Sequence, residues 1–437
     1  MRLLIPLLIV LVSATAWAQT APAGNPAAEP SISTQWNGRA KLTGSRSDYN
    51  ADTLWGSLKE SPYHDGRFNL RINNETFFGA HVYTQVHLET YVTHGDTVEM
   101  QNLRAASGAN AVPGQVSAGR SETANRHLLD LDTIIKENSD TLVGLRLDRF
   151  NFTYEPDWGQ VRIGRQAVTW GNGNFFNPMD LCNPFAPTAI DRDYKAGEDM
   201  LAATANLPAG PELQLLLVPR REPVSGDVRA DQSSLAAKLH WLTDSGSTEF
   251  DFLAAVHYED LVTGLGARGY LGAAAWRLDA TWTFLADGDS SGYLSAVANI
   301  DYSWVWAGRN FYGLAEIYYN GLGISDYDSN QVDPALNDRL ERGEIFTLGR
   351  WYLAGTLQME IHPLVNAFFT SMINVEDPSA LLQPYLNWDI KQNLQLTLGA
   401  ALPLGGRPTE FGGFPIADTT FYNQPPALFF GWATWYF

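Results

Sequence analysis

Cysteine is almost missing from this sequence, since Cys182 is the only one among 437 residues. A single thiol cannot form an internal disulfide or supply the repeated cysteine ligands of a structural zinc or iron–sulfur site. Charge is also scarce: 18% of the residues are charged, against roughly 25% in ordinary soluble domains. These shortages exclude thiolate metal centres, and we expect no cofactor and no bound metal.

Positive charge is the scarcer sign. Lys and Arg number 29 against 48 Asp and Glu, which gives a net charge of -19. Such an acidic chain repels nucleic acid. The sequence therefore predicts no nucleic-acid partner, and the overall acidity favours cations or neutral molecules as solutes.

Long apolar runs are confined to the beginning of the chain. Arg2 precedes the apolar run 3–12, and Ala16 and Ala18 place small residues at a cleavage site. This is the pattern of a secretory signal peptide, and about ten apolar residues are too few for a membrane-spanning helix, which needs about 20. We expect residues 1–18 to be a cleaved signal and residues 19–34, rich in Pro and Ala, to be a flexible periplasmic segment.

From residue 35 onward, apolar and polar side chains alternate in segments of about ten residues. One such segment reads Arg67-Phe68-Asn69-Leu70-Arg71-Ile72, and another reads Trp276-Arg277-Leu278-Asp279-Ala280-Thr281-Trp282. A two-residue period is typical of a β-strand with one face in hydrocarbon and the other in water. The sequence predicts an all-β chain, and any membrane crossing must use strands.

Short turns and longer polar connections alternate along residues 35–437. We predict turns at 78–80, 157–159, 208–210, 244–247, 273–274, 306–308, 362–363 and 389–392. We predict loops at 46–66, 95–141, 171–197, 222–231, 259–263, 287–291, 321–348, 377–378 and 404–426. Eight turns and nine loops separate 18 strands, an even number that favours a transmembrane antiparallel β-barrel over the alternative of a soluble two-sheet sandwich.

The last predicted strand carries an assembly signal. Phe429, Trp435 and Phe437 share one face, and the chain ends on the aromatic Phe437. The strand resembles the terminal strands that outer-membrane assembly machinery recognises. We therefore expect the bacterial, Gram-negative outer membrane as the location, with membrane lipids, lipopolysaccharide and that machinery as partners.

A barrel of this size encloses a lumen. Barrels of about 8 strands fill with side chains, whereas 16 to 18 strands leave an aqueous channel. The side chains expected to face inward carry both signs of charge. The sequence therefore predicts a porin-like channel for the diffusion of small hydrophilic solutes, and not an enzyme.

One segment, 162–185, departs from the alternation. It contains Gly164-Arg165-Gln166, Trp170-Gly171 and Asn177-Pro178-Met179-Asp180, followed by Asn183-Pro184. Asn-Pro pairs favour turns and interrupt strands, so the chain must leave the barrel wall and is free to fold inward. The run resembles the signature of a group of porin-like outer-membrane proteins, similar in style to alginate-export 18-stranded barrels. The mixed lining argues against export of a polyanion such as alginate.

The loop 171–197 is predicted to narrow the lumen. Opposite charges interleave along it and continue at Glu198 and Asp199, and they are expected to pair with arginines of the preceding strands. The candidate constriction residues are Arg146, Arg149, Arg162, Arg165, Asp180, Asp191, Arg192, Asp193 and Lys195. The alternative is that these pairs only hold the loop in place.

A second function from another class stays open. The barrel could be a sheath around a periplasmic partner, either a multihaem electron-transfer conduit or an exopolysaccharide export assembly. The chain has no Cys-x-x-Cys-His, so any haem would belong to the partner.

Overall fold

The computed structural model describes residues 32–107, 124–208, 210–243, 245–286, 291–327, 332–416 and 419–437. The predicted signal peptide lies outside these residues, as does most of the predicted flexible segment. The first strand begins at Ile32, three residues before the predicted start at residue 35. None of the helices in these ranges is long and apolar enough to cross a membrane.

The described elements are mainly strands. The strands are β1 (Ile32–Asp48), β2 (Tyr63–Phe78), β3 (Val82–Gly95), β4 (Asp132–Glu137), β5 (Thr141–Tyr154), β6 (Gly159–Gln166), β7 (Glu198–Asn206), β8 (Glu212–Arg221), β9 (Val228–Leu242), β10 (Thr248–His257), β11 (Asp260–Leu271), β12 (Ala274–Phe284), β13 (Tyr293–Trp306), β14 (Arg309–Asn320), β15 (Trp351–His362), β16 (Val365–Asn374), β17 (Ser379–Lys391), β18 (Leu394–Leu404), β19 (Phe414–Pro415), β20 (Tyr422–Asn423) and β21 (Ala427–Tyr436). The helices are α1 (Leu54–Leu58), α2 (Asp96–Ser107) and α3 (Pro334–Glu341), with a 3-10 turn at Ala124–Arg126.

Eighteen of these strands form one closed antiparallel barrel, as predicted. The wall consists of β1–β3, β5–β18 and β21, each paired with the next in chain order. The last strand closes on the first, with Arg39 opposite Tyr436 and Asp48 opposite Ala427. The backbone of Phe437 continues this seam, donating to and accepting from Gly38. Strand β4 is not one of the eighteen: it extends the sheet locally by pairing with residues 142–146 of β5, whereas β6 pairs with residues 150–154.

All eight predicted turns connect strands on one side of the barrel, and the nine longer connections lie on the other. The connection predicted as a loop at 259–263 is shorter than expected, because residues 260–263 belong to β11. Tyr258 and Glu259 form the whole turn, with φ of 50° and 74°. Two-residue hairpin turns need such positive φ values, usually from Gly, Asn or Asp. The sequence has neither Gly nor Asn nor Asp at positions 258 and 259.

The alternation decides which side chains face lipid. Along β10, Phe252 and Val256 are exposed on the outside, whereas Asp251, Leu253 and Ala255 are buried inside. Outward apolar side chains suit a hydrocarbon surround. The inward Leu253 and Ala255 differ from the all-polar lining that the alternation predicts, because the loop after β6 packs against them.

Candidate functional site

The connection between β6 and β7, residues 167–197, lies inside the barrel. On β14, the Glu316 carboxylate accepts hydrogen bonds from the backbone N–H groups of Asn174, Phe175 and Phe176 at 2.7, 2.9 and 2.8 Å. On β12, Asp279 accepts from the backbone N–H of Asn172 and, at 2.7 Å, from its side-chain amide. Two inward carboxylates thus replace the strand partners that the backbone gives up on leaving the wall.

Apolar contacts secure the same part of the loop. The Phe176 ring stacks on Tyr318 of β14, with centroids 4.2 Å apart and planes 4° from parallel. A second cluster joins Trp170, Met179 and Cys182 of the loop to wall residues such as Leu253. These contacts bury apolar surface between loop and wall, which adds to the hydrogen bonds.

The loop reaches the opposite wall at Asp191 and Asp193. Asp191 pairs with Lys41, Asp193 pairs with Arg39, and both cations lie on β1. The Tyr436 hydroxyl also donates to Asp193, at 3.2 Å. For Asp191 and Asp193, the predicted pairing with arginines of β5 and β6 is therefore wrong, whereas Asp199 does pair with Arg165 of β6. The loop follows the β5–β6 hairpin in sequence, but its carboxylates reach β1 on another part of the wall.

Other predicted loop residues stabilise the loop internally. The Lys195 ammonium donates to Asp180 and to the carbonyl of Val168, each at 2.6 Å. Burial raises the pKa of Asp180 to about 6, although Lys195 opposes the shift. Arg192 donates to the carbonyls of Pro187 and Ala189 at 3.1 and 2.9 Å, and to that of Asn174.

The residues of the motif serve the geometry of the loop. Asn177 donates to the Trp170 carbonyl at 2.7 Å, and Pro178 follows it inside a turn closed by the Asp180 N–H. Gln166 donates to the Met200 carbonyl of β7 at 3.1 Å. Asn183 has a φ of 52° ahead of Pro184 and donates to Glu198 at 2.8 Å. These contacts fix where the chain leaves and rejoins the wall.

The four predicted arginines of β5 and β6 lie in different surroundings. Arg149 bridges wall and loop, donating to Asp148 at 2.6 Å and to the Lys195 carbonyl at 2.7 Å. Arg162 instead donates to neutral groups of the wall, among them the Tyr83 hydroxyl. Arg165 is 1% exposed and forms a two-point pair with Asp199 of β7. Arg146 pairs with Asp132 of β4 at 2.8 Å and lines the cavity described next.

A cavity of about 350 Å³ separates the loop from the wall strands β1, β2, β3 and β5. Its lining includes three carboxylates and five cationic side chains: Glu89, Asp148 and Asp191, and Arg39, Lys41, Arg67, Arg71 and Arg146. Arg67 differs from the other cations, because it forms no ion pair with any residue of the described ranges. We call this space the basic cavity. Cationic side chains outnumber carboxylates in this lining, whereas the net charge of the whole chain is negative.

Within the described ranges, no group of three or more His, Cys, Asp and Glu side chains is placed to hold a metal ion.

Cys182 reports on the position of the loop. Burial raises the pKa of its thiol to about 12, and only the thiolate reacts readily. We expect maleimide to leave Cys182 unmodified in the folded protein and to label it after thermal unfolding. A cysteine introduced at the exposed Ser225, in a Cys182→Ser background, should react at once. Equal labelling rates for the two folded proteins would contradict the buried position of the loop.

The Arg165–Asp199 pair should contribute to stability. Replacing Arg165 by Met leaves a buried carboxylate without its cation, which costs about 3–5 kcal/mol. Urea unfolding in detergent or lipid measures the loss. Arg268→Met is the matched control, because its pair with Glu249 is partly exposed and exposed pairs contribute at most about 1 kcal/mol. Equal effects of the two substitutions would exclude an anchoring role for Arg165.

Of the known proteins compared with this chain, only solved structures match it. No protein-family model matches the chain, and no curated protein matches it significantly. OccAB3 of Acinetobacter baumannii superposes with a TM-score of 0.52 at 8% sequence identity, over 92% of this chain and 99% of that one. OccK8 (OprE) of Pseudomonas aeruginosa gives 0.50 at 8% identity, over 92% and 98%. The chain shares the barrel fold of these proteins. At such low identity the likeness concerns the fold alone, and the resemblance to alginate-export barrels stays a prediction.

Proposed function

We propose that the protein is a channel of the bacterial outer membrane through which small hydrophilic solutes diffuse, narrowed by the loop 171–197. The observation that carries this proposal is the course of the loop across the interior, from Asp279 and Glu316 on one wall to Arg39 and Lys41 on the other. A loop held at both ends reduces the cross-section without needing a bound partner.

Solutes pass on the side of the basic cavity. The opposite side is occupied by the backbone of residues 172–176 and by the Phe176 ring, and the cavity next to that ring measures about 70 Å³, against about 350 Å³ for the basic cavity. Because cations outnumber carboxylates around the cavity, small acids pass more readily than neutral or cationic molecules of the same size. The net charge of the whole chain does not set this preference, since only charges near the path act strongly on the solute.

A sheath around a periplasmic partner has less support. A partner threaded through the barrel would need the space that the loop and its apolar contacts with Tyr318 and Leu253 occupy. The outer-membrane lipids, lipopolysaccharide and assembly machinery remain the proposed partners of the outer surface and of the terminal residues Trp435 and Phe437. Both rings lie on the outer face, 49% exposed.

Liposome swelling tests the proposed function. Vesicles containing the purified protein are placed in isotonic gluconate, sorbitol or glucosamine, which are similar in size and differ in charge. We expect all three to enter, with gluconate fastest and glucosamine slowest. Failure of every solute to enter vesicles that hold folded barrel would contradict the channel, and entry at equal rates would contradict the role of the basic cavity.

A further inference from the structure

Glu89, on β3, is held less tightly by cations than the other two carboxylates of the basic cavity. Asp148 and Asp191 each form a close ion pair with a cation of the lining. Glu89 approaches the Arg146 guanidinium only to 3.7 Å, and Arg146 lies nearer to Asp132, at 2.8 Å. The negative charge of Glu89 is therefore only partly compensated by this arginine.

Asn69 fixes the position of the Glu89 carboxylate. Its side-chain amide, on β2, donates to a Glu89 oxygen. Glu89 lies opposite Arg71 in the register of β2 and β3, whereas Arg67 lies opposite Thr93, four residues farther along β3. At about 3.3 Å per residue, these two positions of the backbone are about 13 Å apart. Glu89 and Arg67 line the same cavity, but no ion pair joins them within the described ranges.

The charge of Glu89 nevertheless acts on Arg67. Among the carboxylates, Glu89 exerts the strongest attraction on this guanidinium. Because Arg67 forms no ion pair in the described part of the chain, its guanidinium is accessible to an acid that enters the cavity. An acid bound there lies beside Glu89 and is repelled by it. A unit charge a few ångströms away changes such a binding constant about fivefold in water.

We infer that Glu89 determines how tightly the channel holds an acid at Arg67, because its charge repels the bound solute and shortens the time that the solute stays. A channel must bind its solute weakly enough to release it, and five cations around one cavity favour tight binding. This inference rests on the proposed function and adds a specificity-determining residue to it. A Glu89 that served only as the acceptor for Asn69 could be replaced by any side chain with an acceptor oxygen.

Block of the single-channel current by gluconate separates these two roles. Glu89→Gln keeps the size of the side chain and an acceptor for Asn69 but removes the charge, whereas Glu89→Asp keeps the charge and shortens the side chain. The control is Glu249→Gln, which removes the same charge from β10, outside the lining of the cavity, where Glu249 pairs with Arg268. Each full-length variant is recorded in a planar bilayer in potassium chloride with increasing gluconate, which gives the half-blocking concentration.

We expect Glu89→Gln to lower the half-blocking concentration of gluconate about fivefold. Glu89→Asp and Glu249→Gln should keep the value of the unmodified protein. The double variant Glu89→Gln with Arg67→Gln should lose the tighter block, because the acid no longer meets the cation beside which Glu89 acts.

Two results would overturn the inference. One is a half-blocking concentration that is unchanged in Glu89→Gln or that falls equally in Glu249→Gln. The other is a tighter block that persists in the double variant, since Glu89 would then act on a solute held elsewhere. An unmodified protein that carries no current would instead contradict the proposed channel, so the two failures are distinguishable.

Discussion

Replacing Glu316 by alanine should raise the single-channel conductance severalfold. Three backbone N–H groups of the loop lose their acceptor at once, and each unsatisfied buried donor costs about 1–3 kcal/mol. The sum exceeds the 1.4 kcal/mol that changes an equilibrium tenfold. Residues 174–176 should therefore leave the wall and open the side of the lumen that they now occupy. Planar-bilayer recording measures the change.

Glu360→Ala is the matched control for this substitution. Glu360 lies on the neighbouring strand β15, near the turns, and bonds to Asn310 away from the loop. Its removal should leave conductance unchanged. In Glu316→Ala, Cys182 should also become reactive toward maleimide. An unaltered conductance together with a protected thiol would show that Glu316 does not hold the loop.

Replacing Arg67 by glutamine should remove most of the preference for anions. The other cations around the basic cavity face a carboxylate within an ion pair, whereas Arg67 has none in the described ranges, and its guanidinium lies 5.4 Å from the Tyr91 ring. A unit charge about 4 Å from an ion contributes about 1 kcal/mol in water, or about a fivefold change in permeability. The ratio of chloride to potassium permeability, obtained from the reversal potential, should fall by about that factor.

Arg46→Gln changes the net charge of the chain by the same amount and serves as the control. Arg46 lies on β1 with its side chain 53% exposed, paired with Asp48. Its replacement should leave the permeability ratio unchanged. If the two substitutions changed the ratio equally, the preference would follow the charge of the whole protein and not that of the basic cavity.

The barrel itself follows from short-range features of the sequence. Side-chain alternation depends on residues two positions apart, and turns such as Ala307-Gly308, with φ of 50° and 74°, depend on local backbone preferences. Strand number and order could therefore be predicted from neighbours in the chain. The exception is the turn at Tyr258 and Glu259, where both residues adopt positive φ and neither is a glycine, and where tertiary contacts compensate, including Arg342 at 4.2 Å from the Tyr258 ring.

The partners of the loop could not be predicted in the same way. Asp191 meets Lys41, a residue 150 positions away on the first strand, and nothing in the spacing of either segment specifies the other. The alternation in Arg39-Ala40-Lys41-Leu42 does indicate that both cations face inward. The pair of Arg165 with Asp199 is within the prediction, but the choice among the possible carboxylates is decided by the register of β6 with β7 across a long connection.

The inward apolar residues show a further limit of the pattern. Leu253 and Ala255 alternate with Phe252 and Val256, so both faces of β10 are apolar there, and alternation no longer distinguishes inside from outside. The inner face is apolar because Trp170 and Met179 of the loop pack against it. A stretch of a predicted barrel strand that is apolar on both faces can thus indicate where an inward loop packs against the wall.

Single-channel recording of the purified protein in a planar bilayer, with the reversal potential measured in a salt gradient, tests the central claim most directly. The structure predicts steady ohmic openings and a reversal potential of the sign that chloride preference gives. A folded barrel that stays silent would contradict the channel, and a cation-selective current would contradict passage through the basic cavity.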